Sequence, residues 1–75
     1  MNAGRRARLR TVRNKLSTLR DEVDSIREEE DEVRDNMPEN LQYSNRFEQS
    51  EECSRAMDDA ISSIEEAISF VEEAI

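Results

Sequence analysis

The chain of 75 residues contains no histidine and no tryptophan, and it has one cysteine, one glycine and one proline. A single cysteine cannot close an intramolecular disulfide, and the missing histidine excludes the common His/Cys metal sites. There is no glycine-rich phosphate loop and no nucleophile beside a visible base. The sequence therefore predicts a protein that is not an enzyme and has no catalytic residues, no cofactor and no metal.

Long hydrophobic runs are also missing. No apolar run approaches the roughly 20 residues that a membrane-spanning helix needs, and the arginine-rich start is not followed by the apolar core of a signal peptide. The one unpaired cysteine suits a reducing compartment. We therefore expect a cytoplasmic protein with no membrane partner.

Charge is what the chain has in abundance, since 40% of its residues are charged and its net charge is −8. Apolar heptads allow so charged a chain to bury a continuous seam between helices. From residue 5 onward, apolar residues recur at alternating spacings of three and four, and Glu30 occupies the one slot without an apolar residue. The seam residues are Leu9, Val12, Leu16, Leu19, Val23, Ile26 and Val33. We predict a helix over 5–35, with residues 1–4 frayed and Glu30 near a solvated end of the seam.

The second half of the chain repeats a unit, A-I-x-x-I-E-E, over residues 60–75. This pattern predicts a helix over 45–75 with an apolar seam, and Asn45 with Glu48 has the spacing of a capping box. The seam residues are Phe47, Ser50 or Cys53, Met57, Ile61, Ile64, Ile68, Val71 and Ile75. At this position we interpret Cys53 as a small buried hydrophobe, with a reactive thiol as the alternative.

Asn36, Met37 and Pro38 separate the two helices, because proline disfavours the helical conformation of the residue before it. A turn over 36–44 between long helices predicts an all-α antiparallel helical hairpin, with coiled-coil-like packing, as one domain over 1–75. Leu41 and Tyr43 are expected to fold back as a plug over the turn. If facing residue numbers add to about 80, both seams come into register, so that Leu9 faces Val71.

Charge is unevenly distributed along the hairpin. Residues 1–20 carry seven bases and no acid, whereas residues 21–59 have a net charge of −11. The same register predicts three ion pairs, namely Arg8–Glu72, Arg13–Glu66 and Arg20–Asp59. An antiparallel dimer would place each arginine-rich end over its partner's acidic end and cover the apolar faces that one hairpin leaves exposed. We therefore expect a homo-oligomer, as a four-helix bundle or a larger assembly.

The acidic run Glu28 to Glu32 has two interpretations. It can imitate the phosphate charge of nucleic acid and occupy a basic site on another protein, or it can be an ordinary solvated face. The first interpretation also assigns Tyr43 and Phe47 as apolar anchors, which otherwise belong to the plug. The predicted partner-binding residues are Glu28, Glu29, Asp31, Glu32, Tyr43, Phe47, Glu51 and Glu52.

The arginine-rich start also has two interpretations. Arg5, Arg6, Arg8 and Arg10 either pair with acids of the second helix or bind a small anionic nucleotide in a basic pocket of an oligomer. Direct binding of nucleic acid is not expected, because the net charge of −8 repels it and no aromatic residue is interleaved for base stacking.

The segment DNMPENLQ at 35–42, followed by Ser44, Arg46 and units of the form AI-x-x-(I/L)-E-E-A-I, resembles small acidic helical proteins encoded by phages and prophages of Gram-positive bacteria. The likeness covers about residues 16–75, from which Cys53 and Phe70 depart, and members of this group mostly lack an assigned role. The resemblance implies a phage-type accessory protein in the cytoplasm of a bacterial host. Three functions follow as hypotheses: an anti-defence inhibitor of a basic host protein, an oligomeric nucleotide sponge, or a structural coiled-coil component.

Overall fold

The computed structural model describes residues 1–41 and 44–75, and within these ranges it contains helices and no strand. Helix α1 spans Ala3–Asp35, a short 3-10 helix spans Glu39–Leu41, and helix α2 spans Asn45–Ala74. The two long helices pack against each other along a molecule 60 Å long. The prediction of an all-α helical hairpin is confirmed. No helix of the described ranges is both long and apolar enough to cross a membrane.

The start of α1 is fixed by Asn2. Its side-chain Oδ1 accepts a hydrogen bond from the backbone N–H of Arg5 at 2.8 Å, and its carbonyl accepts from Arg6 N–H at 3.1 Å. Both bonds satisfy donors that have no partner in the first turn of a helix. Ala3 and Gly4, which we expected to be frayed, are therefore helical, and α1 begins two residues before the predicted start.

The end of α1 and the turn follow from Pro38. The N–H groups of Asn36 and Met37 still bond to carbonyls of the last helical turn, at 3.1 Å each, whereas proline has no N–H to continue the series. The chain instead forms a 3-10 turn, in which Leu41 N–H donates to the carbonyl of Pro38 at 2.9 Å. This turn reverses the chain direction.

Helix α2 is capped by Ser44. Its Oγ accepts a hydrogen bond from Phe47 N–H at 3.3 Å and donates to the carbonyl of Leu41 at 2.6 Å. The capping role that the sequence analysis gave to Asn45 therefore belongs to Ser44, and Asn45 is the first helical residue. The residue before a helix adopts an extended backbone, which lets a short hydroxyl side chain accept a hydrogen bond from a backbone N–H of the first turn.

The side of α2 that faces α1 is a heptad seam with a polar segment near the turn. Within the described residues, Ile68 is the only buried apolar side chain, with 8% of its surface exposed. Ser50 and Ser54 are buried, whereas Cys53 is exposed. The interpretation of Cys53 as a buried hydrophobe is therefore wrong, because the alternation of three and four from Phe47 continues through Ser50 and Ser54. The half-buried seam residues are Phe47, Met57, Ile61, Ile64, Val71 and Ile75.

The predicted seam of α1 is divided between two faces of the helix. Leu9, Leu16 and Val23 are half-buried toward α2, and Glu30 and Met37 continue their row. The remaining four residues are exposed: Val12, Leu19, Ile26 and Val33. Their place against α2 is taken by half-buried arginines, one in each heptad, at Arg13, Arg20, Arg27 and Arg34. At about 100° per residue, this arginine row lies about 100° around the helix from the exposed apolar row.

The register of the hairpin also differs from the prediction. The contacts Asp31–Ser54 and Arg27–Asp58 both join residues whose numbers add to 85 rather than 80. None of the predicted pairs Arg8–Glu72, Arg13–Glu66 and Arg20–Asp59 forms an ion pair in the described part of the chain, where Arg20 contacts its neighbour Asp21 at 3.3 Å. The register is thus set by polar contacts near the turn rather than by the arginine-rich end.

Candidate interaction surfaces

A cluster of four polar side chains joins the helices near the turn, and we call Asp31, Arg34, Ser50 and Ser54 the polar cluster. Arg34 Nη1 donates to Ser50 Oγ at 3.2 Å and to Ser54 Oγ at 2.8 Å. Arg34 Nη2 donates to Asp31 Oδ1 at 2.8 Å, and Ser54 Oγ donates to the same oxygen at 2.6 Å. Each buried hydroxyl therefore has a partner, as buried polar groups require.

These hydrogen bonds favour the ionised form of Asp31. The bond from the Ser54 hydroxyl and the bond from the Arg34 guanidinium hold the pKa of the Asp31 carboxyl below its ordinary value, against the opposing effect of partial burial. Asp31 was predicted to contact a partner protein. The structure instead directs its carboxylate into the hairpin, where it links the two helices.

Arg27 makes a second connection between the helices. Its guanidinium contacts Asp24 at 2.7 Å, Asp58 of α2 at 3.4 Å and Asp31 at 3.9 Å. The hydrogen bond to Asp24 is the main reason that the pKa of Arg27 lies above its ordinary value. Since Asp24, Arg27 and Asp58 lie beside the polar cluster, one face of the hairpin is ionic over its turn-proximal half.

The predicted glutamates lie around this same end of the hairpin. Glu28, Glu29, Glu32 and Glu52 are exposed, and Glu51 is half-buried. The register places Glu32 of α1 nearly level with Glu52 of α2 along the hairpin axis, so both helices contribute acidic residues to the turn end. We call these five residues the acidic surface.

No glutamate of the acidic surface forms an ion pair within the part of the chain that the structure describes. Over residues 1–41 and 44–75, every ion pair uses an aspartate, and the aspartates involved are Asp21, Asp24, Asp31 and Asp58. The two arginines of this half of α1, Arg27 and Arg34, are directed toward α2 by these contacts. Arg55 of α2 lines an open pocket with Glu51 and Glu52 but forms no ion pair with them in the described ranges. The five glutamates of the acidic surface are therefore not ion-paired within the described chain, and residues 21–59 keep a net charge of −11.

The two predicted aromatic anchors have different outcomes. Phe47 is half-buried on the side of α2 that faces α1, so its ring belongs in part to the hairpin interior. Tyr43 lies outside the described residues. Leu41, the other predicted plug residue, remains 45% exposed.

The structure does not gather the arginines of the predicted anion site. Arg5, Arg6, Arg8 and Arg10 are all exposed in the first turns of α1. Successive residues of a helix are rotated by about 100°, so these four positions project toward different sides of the helix. One hairpin therefore offers no single concave surface on which their guanidinium groups converge.

A second surface was not distinguished by the sequence analysis. Val12, Leu19, Ile26 and Val33 have 44%, 50%, 54% and 58% of their surface exposed, and they recur at every seventh residue of α1. We call these four residues the apolar stripe. At about 1.5 Å per residue, it runs about 32 Å along the hairpin, with no element of the described chain covering it. Isolated exposed apolar residues are ordinary, but a continuous row indicates an interaction surface.

The same face of the hairpin continues onto α2 as a row of small residues. Cys53, Ala60, Ala67 and Ala74 also recur at every seventh position, and we call them the alanine row. Val33 and Cys53 line one open groove between the helices, together with Met37 and Leu41, which shows that the stripe and the row share a face. The ionic contacts of Arg27 with Asp58 lie elsewhere, on the turn-proximal ionic face.

No group of three or more potential metal ligands occurs among the described side chains. Arg34 and Ser54, which make the cross-helix contacts of the polar cluster, were not predicted from the sequence. The available signals were the heptad spacing of the four arginines and the position of Ser54 in a strict continuation of the α2 seam. Neither signal uses an apolar residue, so a search for hydrophobic periodicity does not find them.

No protein-family model, no curated protein and no solved structure matches this chain.

Proposed function

We propose that this protein is a non-enzymatic protein-interaction module that binds a basic site on another protein through its acidic surface. The observation that carries the proposal is the absence of an ion-paired glutamate in the described ranges, where the neutralised acids are all aspartates. Placing like charges together lowers the stability of the hairpin, and a basic partner would relieve this cost.

The chemistry of such a complex follows from the charge distribution. Residues 21–59 hold fifteen acids and four bases, so the turn half of the hairpin attracts cationic surfaces over distances near the Debye length. Charge complementarity of this kind raises the association rate and selects among partners more than it raises affinity. Binding through the acidic surface is therefore expected to weaken strongly as salt is added.

The proposed setting is the cytoplasm of a bacterial host, as the resemblance to phage and prophage proteins implies. There the basic site would belong to a nucleic-acid-handling protein, such as a defence enzyme, whose phosphate-binding groove the acidic surface occupies. The protein would then act as a phage-type inhibitor.

We also propose that two or more hairpins self-associate into a four-helix bundle. The apolar stripe and the alanine row support this proposal, because within the described chain all four stripe residues and Cys53, Ala60 and Ala74 of the row are exposed. The competing function, a nucleotide sponge built on Arg5, Arg6, Arg8 and Arg10, has no comparable support, since these side chains do not converge.

Capture from a bacterial lysate, with mass identification of the bound protein, tests the proposed function. The wild-type chain is compared with Glu32→Lys/Glu52→Lys, which reverses two charges of the acidic surface away from the apolar stripe. The matched control, Glu66→Lys/Glu73→Lys, reverses two exposed charges at the other end of α2. We expect the wild type and the control to retain one partner that the acidic-surface variant loses. Equal recovery by all three chains would contradict the proposal.

A further inference from the structure

We infer that the apolar stripe and the alanine row pack against the same two rows of a second copy of this chain, with α1 antiparallel to α1 and α2 antiparallel to α2. This inference rests on the proposed self-association and specifies its surface and symmetry. The two copies are related by a two-fold axis perpendicular to the helices, so the contact is isologous.

The area of the hairpin leaves room for such an interface. The chain exposes 5760 Å². A compact protein of 8.8 kDa would expose about 4,800 Å². The excess of about 1,000 Å² is comparable to the roughly 800 Å² that each partner buries in a standard interface. Within the described ranges Ile68 is the only buried apolar side chain, whereas Val12, Leu19, Ile26, Val33 and Phe70 are all exposed and are therefore accessible to a partner.

Charges beside the apolar stripe indicate its occupant. One helical turn before each stripe residue lies a charged residue, and along α1 these are Arg8, Lys15, Glu22 and Glu29. The sign changes at the middle of the stripe. An antiparallel second copy places the basic half of one flank beside the acidic half of the other, whereas a parallel copy places like charges together.

The whole of α1 has the same polarity. Residues 1–20 carry seven bases and no acid, and residues 21–35 carry nine acids and two bases, so the two parts have charges of +7 and −7. Two such helices attract each other when antiparallel. The charges of α1 therefore complement those of α1 in an antiparallel second copy, on the same helix that carries the apolar stripe.

The positions of the two rows support one common axis. The centre of the apolar stripe lies between residues 22 and 23, and the centre of the alanine row lies between residues 63 and 64. The register of the hairpin sets residue 22 level with residue 63. A single two-fold axis therefore passes within about one residue, or 1.5 Å, of both centres, so each row overlaps its copy over its full length.

The side chains that meet in this arrangement are matched in size. Leu19 lies level with Ile26 of the second copy, and Val12 with Val33. On α2 the small side chains of Ala60 and Ala67 meet, which allows the two helices to approach closely. Phe70, which is 61% exposed, lies level with Ala56 of the second copy, so a large side chain is placed beside a small one.

The alternative two-fold arrangement has its axis along the helices. It would place α1 of one copy on α2 of the other, with the acidic half of α1 beside the acidic half of α2. The charges of residues 21–59 would then repel each other across the interface as well as within each hairpin. The antiparallel arrangement avoids this repulsion and also leaves Glu32 and Glu52 uncovered, one acidic surface near each end of the dimer.

Sedimentation equilibrium of the full chain tests the surface. We expect the wild type at about 100 µM to have twice the monomer mass, and Leu19→Glu/Ile26→Glu to dissociate at least about 100-fold more readily. The matched control is Thr18→Glu/Ser25→Glu, which adds the same charge at exposed positions adjacent to the stripe residues. Circular dichroism monitors the helix content of each chain. A monomeric wild type would overturn both the inference and the proposed self-association. Equal effects of the two variants would overturn the surface alone.

Disulfide formation tests the symmetry. In a Cys53→Ser background, Ala60→Cys and Ala67→Cys are introduced separately and together. Because residue 60 lies level with residue 67 of the second copy, we expect the double variant to form covalent dimers on mild oxidation and each single variant to form few. Within one helix the two sulfurs lie about one heptad, or 10 Å, apart, which is too far for an internal bond. Efficient cross-linking of the single variants would show a parallel contact and overturn the inference.

Discussion

Arg34 of α1 donates a hydrogen bond to Ser54 of α2 at 2.8 Å, and this contact ties the two helices together where their seams are least apolar. The same hydroxyl donates to Asp31 at 2.6 Å, so one serine satisfies both a cation and an anion of the other helix. The hairpin therefore has an aliphatic end near its termini and a polar end near its turn.

Removing the Ser54 hydroxyl is expected to lower the free energy of unfolding by about 1.5 kcal/mol, since hydrogen bonds to charged groups contribute about 1.5–3 kcal/mol. Urea denaturation of Ser54→Ala measures the change. Ser63→Ala removes a hydroxyl from an exposed position of the same helix and is expected to change stability little. Equal losses in the two variants would show that the polar cluster does not stabilise the hairpin.

The pKa of Asp31 predicts how stability depends on pH. Because the folded pKa lies below the ordinary carboxyl value of 3.8, the contribution is complete above that value and is lost as the pH falls through the folded pKa. Asp31→Asn is expected to be less stable than the wild type at neutral pH and to differ from it less in strong acid. Thermal unfolding from pH 7 to pH 2 measures this convergence, with Asp35→Asn, at an exposed position outside the polar cluster, as the control.

The start of α2 provides a test of the cap assignment. Ser44→Ala is expected to cost about 1 kcal/mol of stability, because it removes the oxygen that accepts from Phe47 N–H. Asn45→Ala is the comparison, since its side chain lies within the first helical turn and a capping role for it would give the reverse order. Chemical denaturation of both variants distinguishes the two residues.

The charges along the apolar stripe predict a rescue experiment. Arg8→Glu/Lys15→Glu is expected to weaken self-association about 10-fold or more, because acidic side chains then flank both halves of the stripe. Adding Glu22→Lys/Glu29→Lys reverses the polarity of the flank and is expected to restore association. Sedimentation at low and high salt measures both steps. A first variant that associates as well as the wild type would argue against the antiparallel alignment.

The acidic surface predicts a conflict between stability and function. Glu32→Lys/Glu52→Lys reduces the repulsion between like charges, so we expect a melting temperature equal to or slightly above that of the wild type. The corresponding gain in the free energy of unfolding is below about 1 kcal/mol. The same variant is expected to lose its partner in the capture experiment. A lower melting temperature would indicate that these glutamates stabilise the fold and are not reserved for binding.

The hairpin itself could be predicted from the sequence because its determinants are local. Proline at position 38 removes a backbone donor, and uninterrupted heptads on both sides of it require two long helices. The end of α1 at Asp35 follows from Pro38, and the start of α2 at Asn45 follows from the cap that Ser44 supplies. The start of α1 also has a local signal, because Asn2 is a preferred N-cap residue, but this signal was overlooked in the prediction of frayed residues 1–4.

The division of the α1 seam could not be predicted from apolar spacing. Leu16 and Leu19 obey the same alternation of three and four, so periodicity alone does not show which row faces α2. That choice depends on Arg34 and Arg27, whose contacts with Ser54 and Asp58 rotate and shift α1 relative to α2. The predicted ion pairs of the arginine-rich end failed for the same reason, because exposed pairs are too weak to set a register against a connected polar cluster.

Of the two candidate surfaces, the acidic surface was predicted from the sequence and the apolar stripe was not. The glutamates at the turn end were predicted from charge density, and their role in binding stays a prediction, whereas Asp31, which was assigned to a partner, bonds across the hairpin. The apolar stripe emerged only when the direction of each seam residue was known. The structure thus shows that the apolar stripe has the heptad spacing of a buried seam but is exposed to solvent, which the sequence alone does not reveal.

The distance between two spin labels at residue 11 tests the account most directly. Thr11→Cys in a Cys53→Ser background places one label per chain on an exposed position of α1. In the antiparallel dimer, residue 11 lies level with residue 34 of the second copy. Pulsed electron paramagnetic resonance should therefore give a separation of about 35 Å between the two labels. A separation below about 20 Å, as a parallel alignment of α1 requires, or no measurable dipolar coupling would contradict the account.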